Sequence, residues 1–225
     1  MKVVFVAFAV FFTSLNLRAQ DAAAPADKEA AYTKAITARA EKIVATLNLA
    51  DEKKIARVNA LVTDEYRNLN DVYTTRDEEL KAAKETLTDK EALNKKRQEI
   101  EDATAPKIQR VHDAFIKKLS AELTPDQIVK VKDGLTYNVL PITYKAFLEM
   151  IPSLKPVEKE QIMAWLVEAR EHAMDAESSE KKHAWFGKYK GRINNYLAAQ
   201  GYDLQKERKG WEARMAAASQ QNKSN

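Results

Sequence analysis

The chain has 225 residues, 45% of them hydrophobic and 31% charged, with a formal net charge of +4 and no cysteine. That length suits one domain or two small ones, and the absence of cysteine excludes disulfides and thiol chemistry. Lysine and arginine (37) are nearly matched by aspartate and glutamate (33), which excludes the dominant basic face expected of a nucleic-acid binder.

Residues 1–20 have the layout of a secretory signal peptide. Lys2 is followed by the apolar run Val3 to Phe12, polar Thr13, Ser14 and Asn16, and a cleavage position after Ala19 or Gln20. The apolar run falls short of the roughly 20 residues of a membrane span. The expected protein is therefore exported, periplasmic or secreted, with no stable membrane insertion after cleavage. Residues 21–27 read as an Ala/Pro-rich mobile leader.

A single all-α domain is expected over residues 28–219, with a long-helix half at 28–122 and a compact half at 123–219. No glycine or tryptophan precedes Gly134, so the first half has few tight bends. A helix is expected from about Lys28 to Leu47, with a restart at Asp51-Glu52. Ile55, Val58, Val62, Leu69 and Tyr73 then form a helical stripe, and Ile100, Ile108, Val111, Phe115 and Leu119 form its return. The pair predicts a long antiparallel hairpin whose exposed tip is the charge-rich segment Arg76 to Arg97. Thr88-Asp89 restarts the chain, and Pro106 is expected to kink or end its helix near Thr104.

In the compact half, Thr124-Pro125-Asp126-Gln127 is a helix-start signature, and Gly134 ends that short helix. Lys155-Pro156 opens the next helix, carrying Ile162, Trp165, Leu166, Ala169 and Ala173. Ser178-Ser179 resets the chain before a helix that stacks Trp185, Tyr189, Ile193 and Tyr196 on one side. Gly201 closes it, and a last helix carrying Trp211 runs into a disordered polar tail, 220–225. Gly187 and Gly191 are expected to face another helix.

The richest stretch chemically is Trp165 to Tyr202. Its histidines, tryptophans and glycines are residue types that a plain helix does not need. Lys188, Arg192 and Asn195 fall beside the Trp185/Tyr189 stripe, where a flat aromatic face and polar side chains suit sugar hydroxyls or carboxylates. The candidate ligand-binding set is Trp185, Lys188, Tyr189, Arg192, Asn195, His172 and His183. Trp and Tyr at helical spacing are more often core than site, with Lys188, Arg192 and Asn195 then left to rim a pocket beside it. Glu168 and His172 share a helix face, but with His183 they form no recognised zinc spacing, so neither metal nor cofactor is expected. Glu168, His172, Asp175 and His183 are the residues an enzyme would use. No Ser-His-Asp arrangement or nucleotide loop is present. His112, beside Asp113, reads as a surface residue.

Two stretches carry a resemblance. Leu123-Thr-Pro-Asp-Gln127, Val131-Lys-Asp-Gly134 and Leu140-Pro-Ile-Thr-Tyr144 form the first. Glu168-Ala-Arg-Glu-His-Ala-Met-Asp175 and Lys182-His-Ala-Trp-Phe-Gly-Lys-Tyr-Lys-Gly-Arg-Ile-Asn-Asn-Tyr196 form the second. From about Ala40 to Trp211 the chain resembles a family of exported Bacteroidetes proteins of unknown function, often labelled sugar-binding and met among carbohydrate-utilisation genes. The resemblance implies an accessory or binding component with a carbohydrate ligand, and it brings no established catalytic residues. Leu123-Thr-Pro-Asp-Gln127 is also similar to the LTxxQ signature of periplasmic stress chaperones, whose second copy is missing at Leu47 to Asp51. A small glycan-processing enzyme is the remaining alternative.

Overall fold

The computed structural model describes residues 25–221. The expected signal peptide, most of the leader and the last four residues lie outside the described residues. Eight helices run through the described chain: α1 (Pro25–Ala45), α2 (Glu52–Thr86), α3 (Lys90–Glu122), α4 (Pro125–Leu135), α5 (Val139–Met150), α6 (Pro156–Met174), α7 (Ser179–Ala199) and α8 (Leu204–Gln221). The chain is all-α, and the described residues contain no strand. Two compact units emerge, one up to Ala35 and one from Ile36 onward. In the first unit the described residues belong to the opening of α1, which already includes Pro25 to Asp27 of the expected leader.

The helix starts follow local chemistry. Asp51, Asp89 and Ser178 cap α2, α3 and α7, their side chains accepting backbone N–H groups that a helix start leaves unpaired. Thr124 and Gln127 form a reciprocal capping box with Pro125 at the first helical position. At the start of α6, Glu158 is only 1% exposed. It accepts from the Lys155 backbone at 2.7 Å and from the Tyr202 hydroxyl at 2.6 Å, tying that start to the α7–α8 turn. In that turn Gly201 takes φ +92°, a conformation that favours glycine.

In the second unit α2 and α3 form an antiparallel hairpin. Arg57, near the start of α2, meets Glu122 at the end of α3 at 2.8 Å, and residues 87–89 make the turn at the other end. The apolar side chains gather into two clusters. One joins Ala40, Ile43 and Val44 of α1 to Val58, Val62, Phe115, Leu119, Val131 and Leu135, with Met174 added from α6. The other joins α5, α6 and α7 through Phe147, Ile162, Leu166, Phe186, Tyr189, Ile193 and Leu197.

Several expectations need correcting. Helix α3 continues through Pro106, so there is no break near Thr104. Proline removes one donor, that toward the Asp102 carbonyl, and Pro106 and Asp102 are both exposed, where water can serve that carbonyl. The segment from Arg76 is not wholly an exposed tip, because the Arg76 side chain is 12% exposed and ion-paired to Glu177. Gly187 and Gly191 face open space, since a Cβ on either would meet nothing within 4 Å. The close approach is at Gly134 instead, where a Cβ would come within 2.9 Å of Ile43. The buried stripe of α7 is Lys182, Phe186, Tyr189, Ile193 and Leu197, leaving Trp185 and Tyr196 half-buried beside it. Helix α8 runs to Gln221, into the expected tail.

Candidate functional site

At the α6–α7 turn, beside the apolar contact of Met174 with the first cluster, the hairpin makes a set of polar contacts. The Tyr73 hydroxyl on α2 donates to the Asp175 carbonyl at 2.8 Å. Arg76, one turn later, pairs with Glu177 and lies 4.7 Å over the Tyr73 ring. From α3, His112 Nδ1 lies 2.8 Å from Asp175 Oδ2. Asp175 follows the last residue of α6, so a single turn gathers groups from three helices.

Behind this turn lies a buried ionisable cluster. Glu65 occupies a core position of α2, in step with Val58, Val62 and Leu69, and is 2% exposed. Lys182 does the same on α7 at 6% exposed, its ammonium donating to the Met174 carbonyl at 2.5 Å. Burial, reinforced by the Asp175 charge, pushes Glu65 up to about 8. Burial pulls Lys182 down to about 8, against the pull of Asp175 and Glu65. His112 is held above its ordinary value chiefly by its hydrogen bond to Asp175, in spite of its own burial. His112 is therefore no surface residue; its partner lies 63 positions away in sequence.

A cleft of about 390 Å³ opens beside the turn. Tyr73 and Arg76 of α2, Glu101 and Gln109 of α3, Asp175 and Glu177 at the turn, and His172 and Trp185 all line it. Trp185 and the His172 ring are stacked at 4.5 Å with 18° between their planes. Asp175 Oδ1 is buried without a hydrogen-bond partner, while its Oδ2 is held by His112. The cleft thus offers aromatic rings, carboxylate and amide acceptors, and N–H donors in one concavity.

Of the candidates read from sequence, His172 and Trp185 meet on this cleft. The Lys188 ammonium stands 5.0 Å over the Trp185 ring. Tyr189 is buried, and burial with the Glu168 hydrogen bond pushes its hydroxyl up to about 12. Arg192 stacks on Trp165 at 4.6 Å and approaches Glu168 at 3.6 Å; it and Asn195 are exposed and do not line the cleft. His183 Nδ1 lies 2.7 Å from the Ser179 carbonyl, and its ring stacks on Tyr137 at 5.4 Å. Glu168, His172 and His183 thus have separate partners, and no group of three or more His, Asp or Glu arranged to hold a metal ion occurs among the described residues. Sequence reasoning missed Glu65, Tyr73, Arg76, Glu101, Gln109 and His112. The signal for Glu65 and Lys182 was present: each places a charge at a core position of an apolar stripe.

Among the described residues no helix is long and apolar enough to cross a membrane. The model of a family described as "Protein of unknown function (DUF3826)" matches residues 33–217, and the chain belongs to that family. No curated protein matches the chain.

Proposed function

We propose that this DUF3826 protein is an exported accessory in carbohydrate utilisation that binds a neutral, hydroxyl-rich saccharide in the cleft beside the α6–α7 turn. The observation that carries the reading is the convergence of Trp185 and Tyr73 with Glu101, Gln109 and Asp175 around one cavity. A sugar presents apolar C–H faces and a rim of hydroxyls that both donate and accept, and it calls for this mixture of ring and polar groups. Neutrality follows from the cations. Arg76 is paired with Glu177, and Lys181 lies 3.9 Å from the same carboxylate, so neither is left to balance an anion. Export rests on the pattern of residues 1–20. No cofactor is invoked.

Calorimetric titration of the purified protein with neutral oligosaccharides tests the reading. Gln109→Ala and Glu101→Gln should each weaken binding about fivefold, the worth of one hydrogen bond, with the melting temperature unchanged because both residues are exposed. A panel in which nothing binds, or variants that bind like the wild type, would sink it.

Asp175 favours a second reading, a glycan-processing enzyme. Asp175 lines the cleft, His112 holds its Oδ2, and its buried Oδ1 has no partner, so a substrate that reached Oδ1 would meet a carboxylate oriented as an acid or base. Hydrolysis of a bound oligosaccharide, abolished in Asp175→Asn, would establish it; binding without turnover would exclude it. The chaperone alternative has less support, because Thr124 and Gln127 of its signature are both engaged in capping α4.

A further inference from the structure

A second cavity, of about 360 Å³, lies along the groove between α2 and α3 and shares no lining residue with the cleft. Its walls are apolar, formed by Leu61 and Val72 from α2 and by Val111 and Phe115 from α3. Glu65 lines it too, and although the residue is 2% exposed, its Oε1 has no hydrogen-bond partner. A buried carboxyl oxygen without a partner is costly, and a ligand that completes the hydrogen bond removes that cost.

The rim is one-sided. Lys107, Arg110 and Lys118 stand along α3 within the groove, and no carboxylate of the described residues lies at ion-pair distance from any of them. Three cations of the same hairpin that stand outside the groove are paired, Arg57 with Glu122, Lys81 with Glu85 and Lys96 with Glu99. From α2 the rim receives one acid, Asp64. Unpaired cations above apolar walls match an anion carried on an apolar body.

We infer that the α2–α3 groove is a second ligand site, taking a compact anionic amphiphile with a carboxylate on a short apolar chain. The chain lies against Leu61, Val72, Val111 and Phe115. The anion sits among Lys107, Arg110 and Lys118, and one of its oxygens accepts a hydrogen bond from the Glu65 carboxyl. Asp175, His112, Lys182 and Lys118 face Glu65 electrostatically, and burial with the Asp175 charge raises it to about 8. At pH 6.5 it is therefore protonated and able to donate. A cationic ligand would meet three like charges and a neutral carboxyl.

The test is titration of the full chain at pH 6.5 with octanoate and, separately, octylammonium. Octanoate should bind saturably and octylammonium should not. The double variant K107Q/R110Q should weaken octanoate about tenfold or more, with an unchanged circular dichroism spectrum. Glu65→Gln keeps an N–H donor and should hold affinity within about threefold, whereas Glu65→Leu should lose about tenfold. If Glu65→Leu does not fold, the other two variants decide. Absence of saturable octanoate binding overturns the inference. So does octylammonium binding as well or better, K107Q/R110Q binding unchanged, or loss of binding in a folded Glu65→Gln. Saccharide binding in the cleft should be untouched by K107Q/R110Q, so the two sites fail or stand separately.

Discussion

The two cores of this protein are built from different materials. The cluster formed by α1 to α4 is almost wholly aliphatic, with Phe115 its one buried aromatic ring, and its helices α2 and α3 carry neither glycine nor tryptophan. The cluster formed by α5 to α7 buries Phe147, Phe186 and Tyr189, and packs Trp165, Trp185 and Tyr196 half-buried around them. Long straight stripes of Val, Ile and Leu suffice for two helices running side by side. Shorter helices meeting at bends leave irregular volumes that large rings fill. Where the two regions meet, the molecule places ions and hydroxyls: Tyr73, Arg76 and His112 from the hairpin against Asp175 and Glu177 of the turn. Apolar packing accounts for each region, and the polar seam between them forms the cleft.

The largest effects should come from emptying either core. Phe186→Ala should cost about 3–5 kcal/mol and Leu119→Ala about 2–5 kcal/mol, measured by chemical denaturation. Met174 of α6 sits in the first cluster, so both variants should lower the midpoint of one shared transition. Two separable transitions would show that the cores fold independently and would break the comparison at its root.

Glycines sharpen it next. At Gly134 a new methyl would press to within 2.9 Å of the Ile43 side chain. Gly134→Ala should therefore destabilise by about 1–3 kcal/mol, the usual cost of overpacking. Gly187→Ala, with open space around it, should stabilise by about 0.5–1 kcal/mol through helix propensity. The reverse order of melting temperatures would mean that the packing is misjudged.

The seam should show itself in pH. A group whose folded pKa is raised binds more protons in the folded state, so stability falls as pH climbs from the unfolded to the folded value. For Glu65 that window runs from 4.5 to about 8, and His112 acts in the same direction from 6.5 upward. Glu171 and Glu158 are shifted down and act below the window, losing stability as pH falls under 4.5. Lys182, lowered to about 8, works the opposite way above it: the unfolded chain binds more protons there, so stability recovers as pH rises from 8 toward 10.5. Urea midpoints should therefore decline between pH 5 and pH 8, and Glu65→Gln should flatten that decline. A flat wild-type profile over this range would remove the electrostatic account of the seam.

The smallest effect belongs to the far end of the hairpin. Arg57 and Glu122 form an ion pair at 2.8 Å on an exposed surface. Arg57→Ala should leave the melting temperature essentially unchanged, because solvent screens such pairs.

Much of this architecture was legible residue by residue, because it is local. The caps at Asp51, Asp89, Thr124 and Ser178 each depend on a side chain reaching a backbone group within a few positions. The hairpin followed from two stripes with a restart at Asp89. What escaped was non-local. His112 next to Asp113 gives no hint of its partner at Asp175, and Tyr73 gives none of its bond to the same residue. Rotation of a helix by one position was equally hidden: Trp185 and Phe186 are both apolar, and tertiary packing alone selects Phe186 for the core. Pro106 does not end α3, because the cost of a proline inside a helix depends on whether the carbonyl it orphans faces water. Of the candidate ligand residues, Trp185 and His172 reach the cleft. Arg192 and Asn195, about two and three turns further along α7, do not line it.

The central claim is that the cleft beside the α6–α7 turn binds a neutral saccharide against Trp185. The chain has three tryptophans, Trp165, Trp185 and Trp211, and each gives its own indole N–H resonance. The measurement is a titration of the 15N-labelled protein with neutral oligosaccharides, following those three signals. The account predicts a saturable shift of the Trp185 indole, with Trp211 still and Trp165 nearly so. Shifts confined to Trp165, the ring under Arg192, or no shift at any tryptophan across the panel, would contradict it.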